Sequence, residues 1–188
     1  MTLRWLDRSF DFSFPVGRID TILERLRGTP ARLEEKLEGF DRATLVRRDG
    51  DSWSIQEHAG HLLDLDELHL GRLDDYESGA GVLRPADMEN RKTREADHNA
   101  RPLDEILAKF RTERAQFVAR LEAWDEERLG ATALHPRLNQ PMRVVDMAYF
   151  VAEHDDHHLA RMTGLARAGG PGGPQGPTHG VSAPARTP

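Results

Sequence analysis

Four stretches of the chain place apolar residues three and four positions apart, the spacing that gathers one face of an α-helix. The first runs from Val16 to Leu26, with Ile19, Ile22, Leu23 and Leu26 on one side. Gly28 reads as its end, and Thr29-Pro30 as an N-cap and first-turn proline that restart a helix through Leu37, so this first element is expected to be kinked. The second stretch, Trp53 to Leu73, follows Asp51-Ser52, either of which can cap it, and Ile55, Leu62, Leu65 and Leu73 share its apolar face. The third follows Pro102 and carries Leu103, Phe110, Phe117 and Trp124 at seven-residue spacing, with Ile106 and Leu121 beside them. Such a stripe belongs in a bundle core. Pro141 opens the fourth, whose largely apolar run spans Met147 to Met162; Gly164 is an end signal, with Arg167 as the outer limit.

Between the second and third stretches, Gly79 to Arg101 is mixed and polar, with Gly79, Gly81 and Pro85 arguing for a loop. Loops of that length in compact domains are usually functional or mobile. The pattern therefore predicts an all-α four-helix bundle over residues 1–168, with a kinked first helix and a long connection between its second and third helices. Long crossover connections let bundle helices depart from the simple up-down order. From residue 169 to 188 the composition turns to Gly, Pro, Ser and Thr with almost nothing to bury, which predicts a disordered tail and sets His179 apart from any site.

The fourth stretch holds the densest chemistry: His154, Asp155, Asp156, His157 and His158. At about 100° per residue, His154 and His158 stand one turn apart on the face that also carries Val144, Met147, Val151 and Met162. Two imidazoles thus point towards the core, where an unpaired polar group costs about 1–3 kcal/mol. A divalent ion would remove that cost, because neutral imidazole is a common ligand for zinc, nickel and related cations. A lone HxxxH pair is by itself a weak signal, and it is half a site. His157 points away from the line through its neighbours and reads as solvated or as support for a ligand; Asp155 and Asp156 flank the pair and could orient an imidazole through its second nitrogen.

The second stretch can supply the missing ligand. His58 and His69 share its apolar face, and His61 lies towards one edge. His61 and His69 are about 12 Å apart along the axis, so only one of them can meet a given pair on a facing helix. Periodicity slightly favours His58 as the more central residue and does not decide between it and His61.

Length, charge and residue usage narrow the function. The 188 residues allow one domain with a sizeable core. With a net charge of −6 and no basic cluster interleaved with aromatics, the chain has no electrostatic footprint for nucleic acid. Its longest uninterrupted apolar run, Met147 to Ala152, is far short of the roughly 20 residues a membrane span needs. Asp7 and Asp11 interrupt the N-terminal apolar residues, so no signal peptide is read and a cytoplasmic location is expected. There is no cysteine. Disulfides, a thiol nucleophile and thiolate ligands are excluded, and any thiol in the chemistry must arrive as a separate molecule.

Trp53-Ser54-Ile55, then Glu57-His58-Ala59-Gly60-His61-Leu62, together with Ala152-Glu153-His154-Asp155-Asp156-His157-His158-Leu159-Ala160, resembles the DinB-like superfamily of metal-binding four-helix bundles, which includes bacillithiol-transferase-like proteins. The similarity runs from about Phe12 to Leu165 and takes in Thr93 to Asn99 and Leu134-His135-Pro136-Arg137. The resemblance implies the bundle, often a homodimer, and a metal site. Its helix-two ligand, the histidine eight residues after the tryptophan, lands on His61, and its helix-four ligands land on His154 and His158.

Three histidines on two helices would leave coordination positions open to water or substrate, as catalytic sites do. The expectation is a metal-dependent enzyme with one divalent ion, such as zinc or nickel, acting on a small molecule. Members of the superfamily join low-molecular-weight thiols to electrophiles, so the resemblance puts thiol transfer ahead of hydrolysis. Glu57, His58, Asp64 and His157 are the candidates for orienting or acid–base roles, with orienting roles favoured; His98 and His135 receive none. Two rivals are a metal-stabilised interaction protein without catalysis and a two-metal carboxylate bundle. The latter needs two inward Glu-x-x-His elements and two further Glu. Glu95-Ala96-Asp97-His98 matches once, in the loop region, and Asp66 with His69 and Asp155 with His158 only approximate it.

Overall fold

The computed structural model describes residues 4–168, so the predicted tail and His179 lie outside the described residues. In chain order the elements are α1 (Ile19–Leu37), α2 (Arg42–Val46), α3 (Ile55–Glu77), α4 (Arg91–Glu95), α5 (Leu103–Glu122), α6 (Glu126–Leu129), β1 (Thr132–His135), β2 (Gln140–Arg143) and α7 (Val144–Ala168). The long helices α1, α3, α5 and α7 form a four-helix bundle. α1 packs on α5 and α7, and α3 packs on the same two. Consecutive bundle helices α1 and α3 are therefore diagonal partners, as are α5 and α7. The diagonal crossings are made by residues 38–54 and 123–143, whereas the long connection expected to permit them, 78–102, joins adjacent helices.

The core falls into two apolar clusters. One gathers Ile22 and Leu26 of α1, Leu73, Phe117, Leu121 and the first half of α7; the other gathers Leu33, Ile55, Leu62, Ile106, Phe110 and Met162. Between them each helix turns polar: Thr29 in α1, Asp66 and His69 in α3, Arg114 in α5, and Asp155 in α7, all buried. Arg114 forms ion pairs with Asp66 (2.9 Å) and with Asp155, and Thr29 Oγ1 donates to Asp155 at 2.9 Å.

Several boundaries differ from the expectation. α1 runs unbroken through Gly28, with Pro30 inside it. The helix tolerates the missing Pro30 N–H because Leu26, Thr29, Pro30 and Leu33 are all buried against the bundle, which stabilises more than one lost hydrogen bond costs. The cap of α3 is Ser54, not Asp51 or Ser52: its side chain accepts from the Glu57 N–H, while Glu57 reaches back to the Ser54 N–H at 2.8 Å. Pro141 sits in β2, and α7 starts at Val144 and passes Gly164.

The β1–β2 hairpin is an addition to the all-α reading. Thr132–His135 pairs antiparallel with Gln140–Arg143, and Asn139 closes the turn at φ 50° while donating its N–H to His135 O at 2.8 Å. The 79–101 segment is not plain loop either. It holds α4 and a 3₁₀ turn at His98–Ala100, and it docks on β1 through Leu83 N–H to Leu134 O (3.0 Å) and Leu134 N–H to Gly81 O (2.9 Å).

Candidate metal centre

α3 and α7 face each other, and the heptad arithmetic of both helices brings His61, His154 and His158 to one point. One ring nitrogen from each lies within 4.8 Å of the other two, and all three residues are buried. His154 Nε2 and His158 Nε2 are 3.1 Å apart. Tetrahedral ligands at 2.0–2.1 Å from a zinc-like ion stand roughly 3.3–3.4 Å apart, so the spacing suits such an ion. His69, two turns further along α3, stays out of this group and places Nδ1 3.3 Å from Asp66 Oδ1.

Burial holds these rings neutral. It pushes His61 down to about 3, helped by His58, and it drives His154 and His158 well below the usual histidine range, helped by their neighbouring imidazoles. A cluster of neutral imidazoles, with His154 Nδ1 buried and lacking any partner among the described residues, has the donor chemistry of a cation site.

A hydrogen-bond chain sets the tautomer of His61. Its Nδ1 lies 3.0 Å from Thr93 Oγ1, Thr93 Oγ1 donates to Asp64 Oδ2 at 2.9 Å, and His98 Nε2 donates to the same oxygen at 2.8 Å. Since the threonine proton goes to Asp64, His61 Nδ1 must be the donor to Thr93. Nε2 is left with its lone pair free. Burial works to raise the Asp64 carboxyl, but the His98 and Thr93 hydrogen bonds more than offset it and hold it low. Gly60 makes the chain possible, because a Cβ there would overlap the His98 ring.

The remaining candidates separate cleanly. His58 places Nδ1 2.8 Å from His158 Nδ1, outside the three-nitrogen group but against it. Glu57 spends its oxygens on the Ser54 N–H and the Arg48 guanidinium, so its role is to cap α3. His157 is half-buried under Trp5, 5.7 Å between ring centroids. Asp155 turns away to Arg114 and Thr29, and Asp156 pairs with Arg25 (2.5 Å) and Arg32 (2.6 Å), so neither orients an imidazole. The reason is rotational: a residue one position from a core-facing histidine on a helix faces a different neighbour.

A cavity of about 200 Å³ opens beside the three histidines, with Trp5, Leu65, Met88 and Phe150 among its apolar walls and Arg72, His135 and Arg137 also on its lining. Trp53 covers His61 at 4.6 Å. Sequence reading missed Thr93, His98, Trp5, Arg72, His135 and Arg137 as contributors. Thr93, His98, His135 and Arg137 lie in segments singled out for resemblance, but no helical periodicity tied them to the site.

Among the described residues no helix is long and apolar enough to cross a membrane. No curated protein sequence matches the chain. Solved structures that share its fold include the following three. YfiT from Bacillus subtilis, described as a probable metal-dependent hydrolase with an unusual four-helix bundle topology, is 21% identical with a TM-score of 0.72, over 87% of this chain and 94% of that one. A mycothiol-dependent maleylpyruvate isomerase is 10% identical with a TM-score of 0.63, over 79% of this chain and 63% of that one. A protein from Streptococcus pneumoniae is 11% identical with a TM-score of 0.63, over 85% and 93%. The profile of the DinB superfamily matches residues 25–162, most of the bundle and all three clustered histidines, and the chain belongs to that superfamily.

Proposed function

We propose that the protein is a metal-dependent enzyme that holds one divalent ion through His61, His154 and His158 and acts on a small-molecule thiol and an electrophile. The convergence of three neutral imidazoles on the wall of a cavity carries this reading. Bound there, a zinc- or nickel-like ion would supply the positive charge that lowers the pKa of a thiol or water sharing its open positions. Thr93 and Asp64 hold His61 with Nε2 forward, and His58 does the equivalent for His158 by occupying its Nδ1. Trp5, Trp53 and Phe150 give the same space apolar walls.

Thiol transfer is favoured over hydrolysis by what the cavity lacks. Hydrolytic histidine sites commonly add a carboxylate as general base for water. Among the described residues the acid on this lining is Asp87, and its oxygens accept from the Glu89 and Arg91 N–H groups at 3.0 and 2.9 Å. A thiol needs less help, since its proton leaves about seven pK units more readily than that of water (about 8.5 against 15.7). A homodimer and a cytoplasmic location belong to the same proposal.

Cobalt-substituted protein tests it. An added thiol such as 2-mercaptoethanol should give a saturable sulfur-to-metal band, and the chain has no cysteine to confuse it. A spectrum indifferent to thiols and small anions would overturn the open site and favour a metal that only stabilises the bundle.

A further inference from the structure

The cavity has a second chemical pole. Arg72 of α3 is only 2% exposed, yet among the described residues its hydrogen bonding is limited to Nε with Arg84 O at 3.2 Å, and no carboxylate pairs with it. Arg137, in the β1–β2 turn, packs its guanidinium over Phe150 at 5.5 Å and buries one terminal nitrogen without a partner. His135 lies against the same Phe150, 5.2 Å between centroids. Its Nδ1 accepts the Leu138 N–H at 3.2 Å, so Nε2 carries the proton, and that buried N–H also has no partner. All three residues line the cavity that the histidine cluster opens into.

Buried guanidinium groups are ordinarily matched, as Arg114 is by two aspartates in this bundle. Here, among the described residues, no carboxylate bonds the gathered positive groups: Asp75 lies near Arg72 but spends its oxygens on the Arg84 N–H and guanidinium. Burial lowers Arg72 to about 10 against the opposing pull of Tyr76 and Asp75, with Arg137 and Arg84 adding to the lowering, and burial, then Arg72 and Arg137, lower His135 to about 4. Arg72 keeps its charge at neutral pH, and His135 is a neutral donor. Unsatisfied donors from two separate chain segments, aimed at one cavity, specify an oxyanion.

We infer that Arg72, Arg137 and His135 form a clamp for a carboxylate of the substrate, whose reacting end lies at the three histidines. This deepens the proposed function and rests on it for the location of the reacting end. His61 and Arg72 are eleven residues apart on α3, about 16 Å of helix rise, and Arg72 shortens the span because helical side chains tilt towards the N-terminus. The ligand is thus an electrophile with its carboxylate several bonds from the reacting carbon. Carboxylate is favoured over phosphoryl because the cavity of about 200 Å³ is small and mostly apolar.

The test uses the full, zinc-loaded chain and the fluorescence of Trp5 and Trp53, which line the cavity. Glutarate should bind saturably, its dimethyl ester should not, and inorganic phosphate should bind less tightly. Arg72→Gln and Arg137→Gln should each weaken glutarate at least about ten-fold, with Arg72→Lys retaining part of the affinity. His61→Ala should keep it within about three-fold, since the clamp does not need the histidine layer. Arg72→Gln should melt at or above the wild-type temperature, because it removes an unpaired buried charge. Equal binding by the Gln variants or the ester, tighter binding of phosphate, or a melting temperature that falls with Arg72→Gln overturns the clamp. Loss of glutarate binding in His61→Ala alone places the anion at the histidines and also overturns it. An intact clamp beside a thiol-insensitive cobalt spectrum sinks only the reaction.

Discussion

Two polar layers lie side by side in this bundle, and they differ in whether the protein completes them. In the Asp66–Arg114–Asp155 layer every group has a partner: Arg114 is shared by two carboxylates, Thr29 donates to Asp155, and Asp66 lies 3.3 Å from His69 Nδ1. In the His61–His154–His158 layer and the cavity beyond it, His154 Nδ1, His58 Nε2, His135 Nε2 and one Arg137 nitrogen are buried without partners among the described residues. A completed buried network specifies a structure; an incomplete one specifies a ligand. Burial alone does not distinguish them, since Arg114 and Arg72 are both almost wholly enclosed.

Breaking the completed layer should cost the most. Arg114→Ala leaves two buried carboxylates facing each other, and should lose about 3–5 kcal/mol of stability in urea unfolding. Replacing Asp66, Arg114 and Asp155 together by apolar residues should recover most of it. A loss under about 1 kcal/mol for Arg114→Ala would mean that this layer is not the structural one.

The support of the incomplete layer comes next. Gly60→Ala drives a methyl into the His98 ring, which should cost about 1–3 kcal/mol and disturb the Asp64–Thr93–His61 chain. Asp64→Asn keeps the volume and should weaken metal affinity about 10–100-fold by competitive chelator titration. Unchanged affinity in both variants would remove the chain from the site.

Acid gives a smaller, graded effect in metal-free protein. His61 titrates near 3 when folded and near 6.5 when unfolded, so the unfolded chain binds more protons between those values. Its contribution is nearly complete above pH 6.5 and is lost as pH falls towards 3, about 1 kcal/mol between pH 6.5 and 5.5. The Asp66 carboxyl adds no such loss in that window, because it is held below its usual value: burial opposes this, but Arg114 and His69 prevail. Urea midpoints between pH 7 and 5.5 that do not move would contradict the neutral histidine layer.

Much of this arrangement was legible in the sequence where a helix period carried it. The four bundle helices, the stripe through Phe110 and Phe117, and the inward pair His154 and His158 all follow from 3.6-residue spacing. Pro30 misled because local propensity argues for a break that tertiary burial overrides. The β1–β2 hairpin was missed because its strands are four residues each and carry Pro136 and Pro141 nearby, so neither shows a strand alternation. His98, His135 and Arg72 were unreadable for a different reason. Their roles arise from the meeting of segments far apart in the chain, Gly60 with His98, and Arg72 with His135 on one cavity, and no period within one element encodes such a meeting.

Metal content per chain, measured by elemental analysis on untagged protein, most directly tests whether the incomplete layer is a ligand site. Wild type should carry one divalent ion. His61→Ala and His158→Ala should each lose most of it, while both variants and the metal-free wild type keep a folded bundle by circular dichroism, because the Arg114 layer and the two apolar clusters are untouched. Full metal in both variants, or none in wild type supplied with zinc or nickel, would contradict the assignment.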